Sequence, residues 1–400
     1  MKQRTDKLLA AMPGGFEAAL VSTDVNRFYF LGFDSGDAGT VLILPDKTYF
    51  IIDSRYIEIA EATVKEAEVI LEGKALEQVR DILAAHGVKH LYLENKATLA
   101  YADRVRAALP GVEVDTGAVL SDAIDAIRAV KSEEEFDAIR RAQVITDACF
   151  EHMLGYIKPG VREIDAALEM EVFMKSHGAG KLAFDTIFVS GAKTSLPHGV
   201  PGDKRIEAGD FVTMDFGANV DGYCTDMTRT VAVGHVSDEQ KKVYDTVLKA
   251  QLACCGFAKA GYKGCEVDKV ARDIIYGAGY EGCFGHGLGH AVGIEIHENP
   301  RYSPTCSDII QSGMVMTIEP GIYLPGKFGV RIEDTTFVRP DGCEIVGKSP
   351  KELIVSQQII FLHLIDLHCF QIDTHMLCQL SGNRSQCIQH GFVHFGKILV

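Results

Sequence analysis

The sequence lacks any apolar run approaching the roughly 20 residues that a membrane-spanning helix needs. It also has no Gly-x-Ser-x-Gly elbow, no P-loop and no strand-borne dinucleotide fingerprint, which removes the usual markers of serine hydrolases, nucleotide hydrolases and dehydrogenases. Positive charge is short: 40 Lys and Arg stand against 55 Asp and Glu, a formal net charge of −15. Nucleic acid and anionic membrane surfaces are therefore disfavoured as partners. The 11 cysteines are odd in number and include no Cys-x-x-Cys pair, a pattern that fits a reducing compartment better than a disulfide framework. At the N-terminus, MKQRTDKLLAAMPGG carries basic residues, but its apolar part is too short and interrupted for a signal peptide. It reads as a helix stopped by Pro13-Gly14, and a soluble, cytoplasmic protein is expected.

What is present is ordinary globular material, 47% hydrophobic and 24% charged over 400 residues, enough for two or three domains. From Ala18 to about Asp122, short β-prone runs (18–22, 39–44, 48–53, 69–71, 91–93) alternate with helical patterns (56–67, 76–86), which predicts an α/β domain. Ser132 with Glu135 makes a capping box for a long helix, so a second domain is predicted to start just before it. A helix at 163–175 and a strand at 184–190 follow. Ser237 with Gln240 then caps another long helix, with a further one near 266–276 and strand and glycine to 354. Helix pairs followed by strands, twice over, predict an α+β packing of layers rather than a doubly wound sheet. Residues 356–400 change character, with no Glu and with His363, His368, His375, His390 and His394 at spacings that match no zinc motif. They read as an extension outside these domains or as an out-of-register translation.

One stretch is electrostatically awkward. FVTMDFGANVDGYCTDMTRT, from Phe211 to Thr230, reads as an apolar two-stranded ribbon turning at Asn219 to Gly222, yet it contains Asp215 and Asp226. In a ribbon with an even loop, opposed positions sum to an odd number, as 215 and 226 do, which puts both carboxylates on one face, opposed or diagonal. Two such charges raise one another's pKa and weaken the ribbon unless a cation lies between them. Further donors come later. FGHGLGHAVGIEIHE, from Phe284, holds His286, His290 and His297 in a glycine-rich loop predicted to run into a strand at 292–296. Glu319 ends the strand 314–318 before Pro320-Gly321. Glu333 shares a strand face with Arg331, while Val330 and Ile332 face the other way. Singly these residues read as packed or solvated side chains. Together, four carboxylates and one imidazole suit two hard divalent ions, which at roughly 3.5 to 4 Å separation hold a hydroxide at neutral pH and stabilise an oxyanion. His198, on the loop SLPHGV, is a candidate substrate-facing residue. The chemistry implied is hydrolysis.

The motifs LPHG (196–199), MDFGANVDGYCTDMTRT (from 214), GHGLGHAVGIEIHE (from 285), TIEPGIY (from 317) and VRIED (from 330) resemble those of the Xaa-Pro peptidases, the aminopeptidase P and prolidase branch of the metallopeptidases with the pita-bread fold. NRFYFLGFDSG and FIIDSRY are similar to the creatinase-type N-terminal domain. The resemblance implies a smaller creatinase-type α/β domain over 1–125, a pita-bread catalytic domain over 126–355, and an atypical extension over 356–400. It makes Asp215 a ligand of one metal, Asp226 and Glu333 bridging ligands, and His290 and Glu319 ligands of the other. His198, His286 and His297 fall in the substrate pocket, with His297 polarising the scissile carbonyl, Glu319 shuttling a proton and Arg331 partnering Asp215. Two divalent ions are implied, manganese first, with cobalt or zinc as alternatives. The expected activity is that of a homodimeric Xaa-Pro aminopeptidase or dipeptidase, hydrolysing the bond between an N-terminal residue and a following proline by attack of the hydroxide bridging the metals. A peptide-binding module without catalysis is the competing reading.

Overall fold

In the computed structural model, which describes residues 2–356, the N-terminal region is built on a six-stranded sheet. Its order is Glu68–Leu71, Thr48–Ile52, Thr40–Ile43, Ala18–Val21, His90–Leu93, Glu113–Asp115. The three middle strands form an antiparallel meander and the outer pairings are parallel, so the parallel connections require crossover helices. Those are Ile57–Thr63, Ala75–Ala85 and Leu99–Ala108. Alternate strand residues go to opposite faces: Ala19, Val21, Val41, Ile43, Phe50 and Ile52 pack on one side, Ala18, Leu20, Leu42, Tyr49 and Ile51 on the other. Both faces are covered, which explains why these strands are continuously apolar.

The predicted strands and helices of this region each have a counterpart within a few residues. Three helices were not foreseen: Asp24–Leu31, Leu99–Ala108 and Val119–Ala129. The last runs through residue 125, and its Leu120 and Ile124 join the same apolar cluster as Leu8 and Met12 of the first helix, Lys2–Ala11.

The C-terminal region holds two helix pairs, Glu133–Tyr156 with Glu163–Ser176 and Asp238–Phe257 with Gly264–Gly277. Both predicted capping boxes are formed, Ser132 with Glu135 and Ser237 with Gln240. Each pair packs on an antiparallel sheet. The first lies against Met227–Ala232, Phe211–Phe216 and Ile187–Ser190, the second against a five-stranded sheet that includes Gly289–Ala291, Val315–Ile318 and Asp334–Val338. Helices outside and strands inside, repeated, make a duplication that no sequence repeat announces. Among the described residues no helix is long and apolar enough to cross a membrane. The extension expected over 356–400 lies, from residue 357 on, outside the described residues.

The aspartate ribbon keeps one register from end to end. Asp215 is opposite Thr228 and Phe216 opposite Met227, and beyond a bend Asn219 faces Cys224 and Val220 faces Tyr223. Asp221 and Gly222, with φ of 50° and 83°, form the two-residue turn that suits ribbon twist. Opposed positions sum to an odd number, and Asp226 lies diagonal to Asp215 rather than directly across. The bend falls at Gly217, where a Cβ would stand 1.8 Å from the Thr225 carbonyl oxygen. At the tip, the Phe28 ring of the N-terminal region rests on Gly222 and tilts against Tyr223, ring centroids 6.3 Å apart.

Candidate metal centre

The two sheets of the C-terminal region meet edge to edge at the ribbon. Glu333 N donates to the Thr228 carbonyl at 3.1 Å, and Thr335 Oγ1 donates to the Asp226 carbonyl at 2.8 Å. This seam places the acids. Asp215 is in the strand Phe211–Phe216, Asp226 just precedes Met227–Ala232, and Glu319 follows Val315–Ile318. Glu333 sits between Phe328–Arg331 and Asp334–Val338. Alternation at 330–333 works as predicted: Val330 and Ile332 enter the apolar core, while Arg331 and Glu333 face the cavity.

All nine residues singled out from the sequence, His198, Asp215, Asp226, His286, His290, His297, Glu319, Arg331 and Glu333, line one cavity of about 560 Å³. Ligand atoms of Asp226, His290 and Glu333 lie within 4.8 Å of one another. His290 Nε2 stands 3.6 Å from Asp226 Oδ2 and 3.4 Å from Glu319 Oε1. On its other side, His290 Nδ1 is 3.1 Å from the Ala291 carbonyl, which can only accept. The proton is therefore on Nδ1, and the Nε2 lone pair points at the acids.

Crowding and burial set the electrostatics. Asp226 is 4% exposed and Glu333 1%. Burial first, then the charges of Glu333 and Asp215, holds the Asp226 carboxyl well above its ordinary range. Burial, with Glu319 and Asp215, does the same to Glu333. Burial raises Glu319 to about 8, against the opposing pull of Arg331. Burial lowers the His290 imidazole to about 3, so it is neutral and free to ligate. Among the described residues, Asp226 Oδ1 and Glu333 Oε1 are buried with no hydrogen-bond partner. Buried carboxylate oxygens without donors are rare and costly, and a hard cation satisfies both, so the residues fit the divalent metal that the sequence implied.

Around this core runs a chain of positioned donors. Arg331, 3% exposed, gives Nη2 to Asp215 Oδ2 at 2.6 Å, Nη1 to the Tyr323 hydroxyl at 2.9 Å and Nε to Thr228 Oγ1 at 3.0 Å. Thr228 passes its own proton to Glu333 Oε2 at 2.6 Å. Thr317 Oγ1 accepts from the His290 backbone at 3.0 Å and donates to Glu319 Oε1 at 3.2 Å. Tyr323, Thr228 and Thr317 were missed from the sequence. Tyr323 closes the motif TIEPGIY, the one available signal, but no spacing shows where its hydroxyl goes.

One local expectation is corrected. The strand predicted at 292–296 is absent; Gly289–Ala291 is the strand, and His290 stands on it rather than in a loop. The segment after it folds back on itself, with Ile294 N donating to the Glu298 carboxylate at 3.1 Å. His297 is exposed at the cavity rim, its ring edge-on to His290 with centroids 4.4 Å apart. His198 is exposed on the loop after the short helix Gly191–Ser195.

Comparison with known proteins matches this arrangement. Residues 137–340 fit the model of Metallopeptidase family M24, and residues 4–130 that of the Creatinase/Prolidase N-terminal domain. The "Uncharacterized peptidase YqhT" of Bacillus subtilis (strain 168) is 42% identical over 85% of this chain and 96% of its own length. Among solved structures, the Xaa-Pro dipeptidase from Bacillus anthracis superposes with a TM-score of 0.84 at 40% identity, covering 88% of this chain and 99% of that one. The X-Pro aminopeptidase from Thermotoga maritima MSB8 gives 0.81 at 35% identity, covering 88% and 100%. With its helix-backed sheets meeting over a buried acid cluster in the pita-bread fold, behind a creatinase-type first domain, the chain belongs to metallopeptidase family M24.

Proposed function

We propose that the protein is a metal-dependent exopeptidase that hydrolyses the bond between an N-terminal residue and a following proline. The observation that carries this reading is the pair of buried oxygens without a partner among the described residues, Asp226 Oδ1 and Glu333 Oε1, in a cavity also lined by His198, His286 and His297. Divalent ions held by Asp215, Asp226, His290, Glu319 and Glu333 would supply a nucleophile at neutral pH and stabilise the developing oxyanion. Two ions are proposed, manganese by preference because four of the five donors are hard carboxylates, and cobalt or zinc as alternatives that the one imidazole also suits.

The remaining work falls to the chain's own groups. Glu319, its Oε1 accepting from Thr317, is placed to carry a proton from the attacking water to the prolyl nitrogen, which must leave as an amine. His297 at the rim is the donor for the scissile carbonyl oxygen. His286, lowered to about 4 chiefly by burial, offers a neutral flat wall beside the proline ring, and His198 lines the same cavity. Proline brings no N–H and a fixed φ, so recognition must rest on such shape rather than on backbone pairing. A homodimer is proposed from the family resemblance. A cytoplasmic location is proposed from the thiols, all free among the described residues.

The test is direct. Protein loaded with Mn²⁺, Co²⁺ or Zn²⁺ is assayed on an Xaa-Pro dipeptide, an Xaa-Pro-Yaa tripeptide and their alanine counterparts. Cleavage of a proline substrate in preference to its alanine analogue is expected, and the ratio of dipeptide to tripeptide turnover separates prolidase from aminopeptidase P. No turnover with any of the three metals would end the proposal.

A further inference from the structure

Glu298 is buried between two cations supplied by the connection between the two regions of the chain. Its Oε1 accepts from Arg128 Nη2 at 2.5 Å and its Oε2 from Lys131 Nζ at 2.9 Å. The three side chains are 6% exposed or less. Arg128 lies on the helix Val119–Ala129, which packs into the N-terminal core. Its Nη1 donates to Asn26 Oδ1 at 2.8 Å, on the helix Asp24–Leu31 of the same core. Burial would raise the Glu298 carboxyl, but Lys131 and Arg128 hold it down to about 2.

The same carboxylate shapes the chain around it. Glu298 Oε1 accepts from the backbone N of Ile294 at 3.1 Å and of Glu295 at 3.3 Å. A Cβ on Gly293 would stand 2.6 Å from both carboxylate oxygens, so the backbone closes on the acid where only glycine fits. Glu295 adds a second acceptor for Arg128 Nη2 at 2.8 Å. The segment from Gly293 to Glu298 is thus wound about a charge whose partners belong largely to another part of the molecule. His297 immediately precedes Glu298 and lines the metal cavity beside His290. Behind it, a polar cavity of about 110 Å³ is shared by His297 and Arg301 with Lys96 and Asp125 from the N-terminal region.

We propose that Arg128, seconded by Lys131, is a positioning residue that acts through Glu298 to hold His297 against the scissile carbonyl. Docking of the N-terminal domain is then a condition of the chemical step itself. The role of His297 in this statement rests on the exopeptidase reading above; the clamp on its segment does not. A contact made to the carbonyl chiefly as charge develops on it raises kcat with little effect on KM.

The experiment compares wild type with R128Q and R128K, each normalised to folded, metal-loaded protein. In R128Q, kcat on an Xaa-Pro substrate is expected to fall about tenfold or more with KM within about threefold, and R128K is expected to restore part of the loss. Metal content should be unchanged. Hydrogen exchange of 292–298 should quicken in both variants while the strands bearing Asp215 and Glu333 keep their protection. A variant that melts earlier but keeps wild-type kcat per loaded molecule overturns the proposal, as does unchanged exchange over 292–298. If R128Q does not fold, R128K decides alone by the same two readouts. If wild type cleaves no proline peptide, it is the functional reading that fails, and the exchange measurement still judges the clamp.

Discussion

The Tyr323 hydroxyl donates to His286 Nε2 across 2.8 Å. The direction is fixed by Arg331, whose Nη1 has only protons to give and so takes the lone pair of the same oxygen at 2.9 Å. His286 Nδ1, 2.8 Å from the Gly287 carbonyl, must carry the other proton. Asp215, Arg331, Tyr323 and His286 therefore form one oriented line, and the imidazole at its end is neutral with both nitrogens engaged.

Tyr323→Phe breaks this line in the middle. Arg331 Nη1 is left with only the Pro197 carbonyl at 3.2 Å, and His286 Nε2 loses its partner in a buried place, which costs about 1–3 kcal/mol. Chemical denaturation should show that loss, and proline-peptide kcat/KM should fall about tenfold because the His286 ring loses the bond that fixes its Nε2 side in the cavity. An unchanged midpoint and rate would mean the hydroxyl is replaceable.

The metal-free protein should lose stability as pH rises from about 6.5 to 8. Unfolded carboxyls titrate near pH 4, whereas Glu319 keeps its proton to about 8 and Asp226 and Glu333 are also raised. In this window the folded chain binds more protons than the unfolded one, so each pH unit removes up to about 1.4 kcal/mol per proton retained. Below it the buried histidines oppose the trend: His286, at about 4 when folded, takes up a proton on unfolding and destabilises the fold as pH falls. Melting curves of chelated protein from pH 5 to 8 test this, and the gain in Tm on adding Mn²⁺ should be larger at pH 8 than at pH 6.

Asp226→Asn separates stability from function. The amide relieves repulsion from Glu333 and Asp215, so the chelated variant should melt above chelated wild type at pH 8. Metal affinity should fall at least about 100-fold, since a carboxylate ligand is gone. Elemental analysis after desalting, set beside the melting curve, gives both readouts. A variant that keeps its metal would show that Asp226 is no ligand.

Gly222→Ala probes the contact between the two domains. The residue has φ of 83°, and a Cβ would stand 2.2 Å from the Phe28 ring. Strain in the turn and displacement of Phe28 should together cost about 1–3 kcal/mol. Gly222→Ala combined with Phe28→Ala should be less destabilised than the sum of the two single changes.

The acid ribbon was legible because its information is local. Period-two alternation fixes faces, Asp221-Gly222 fixes the turn, and parity then places Asp215 with Asp226. The helices Glu133–Tyr156 and Asp238–Phe257 announced themselves through capping boxes. Helix Asp24–Leu31 did not, because DVNRFYFL is rich in aromatic residues that favour strands. Its stop signal, Gly32 with φ of 64°, was nevertheless in the sequence. The apolar alternation Val292, Ile294, Ile296 predicted a strand for a different reason. A buried carboxylate six residues beyond Val292 claims the amide protons of Ile294 and Glu295 that a ladder would have used. Its own stability depends on Arg128 and Lys131, more than 160 residues earlier. No window of sequence contains that relationship.

The unbroken register of the aspartate ribbon also says how its length can change. Because Thr228 stays opposite Asp215 and Thr335 holds the Asp226 backbone, adding or removing one residue between Gly217 and Thr225 has to be absorbed within the arm, as a bulge or a changed tip loop that breaks the pairing of Val220 with Tyr223. Adding two lengthens the tip and leaves both acids facing the cavity. Changes of two residues in this arm should therefore be tolerated better than changes of one, a counting rule imposed by backbone geometry on the tip while the acids at the other end stay anchored.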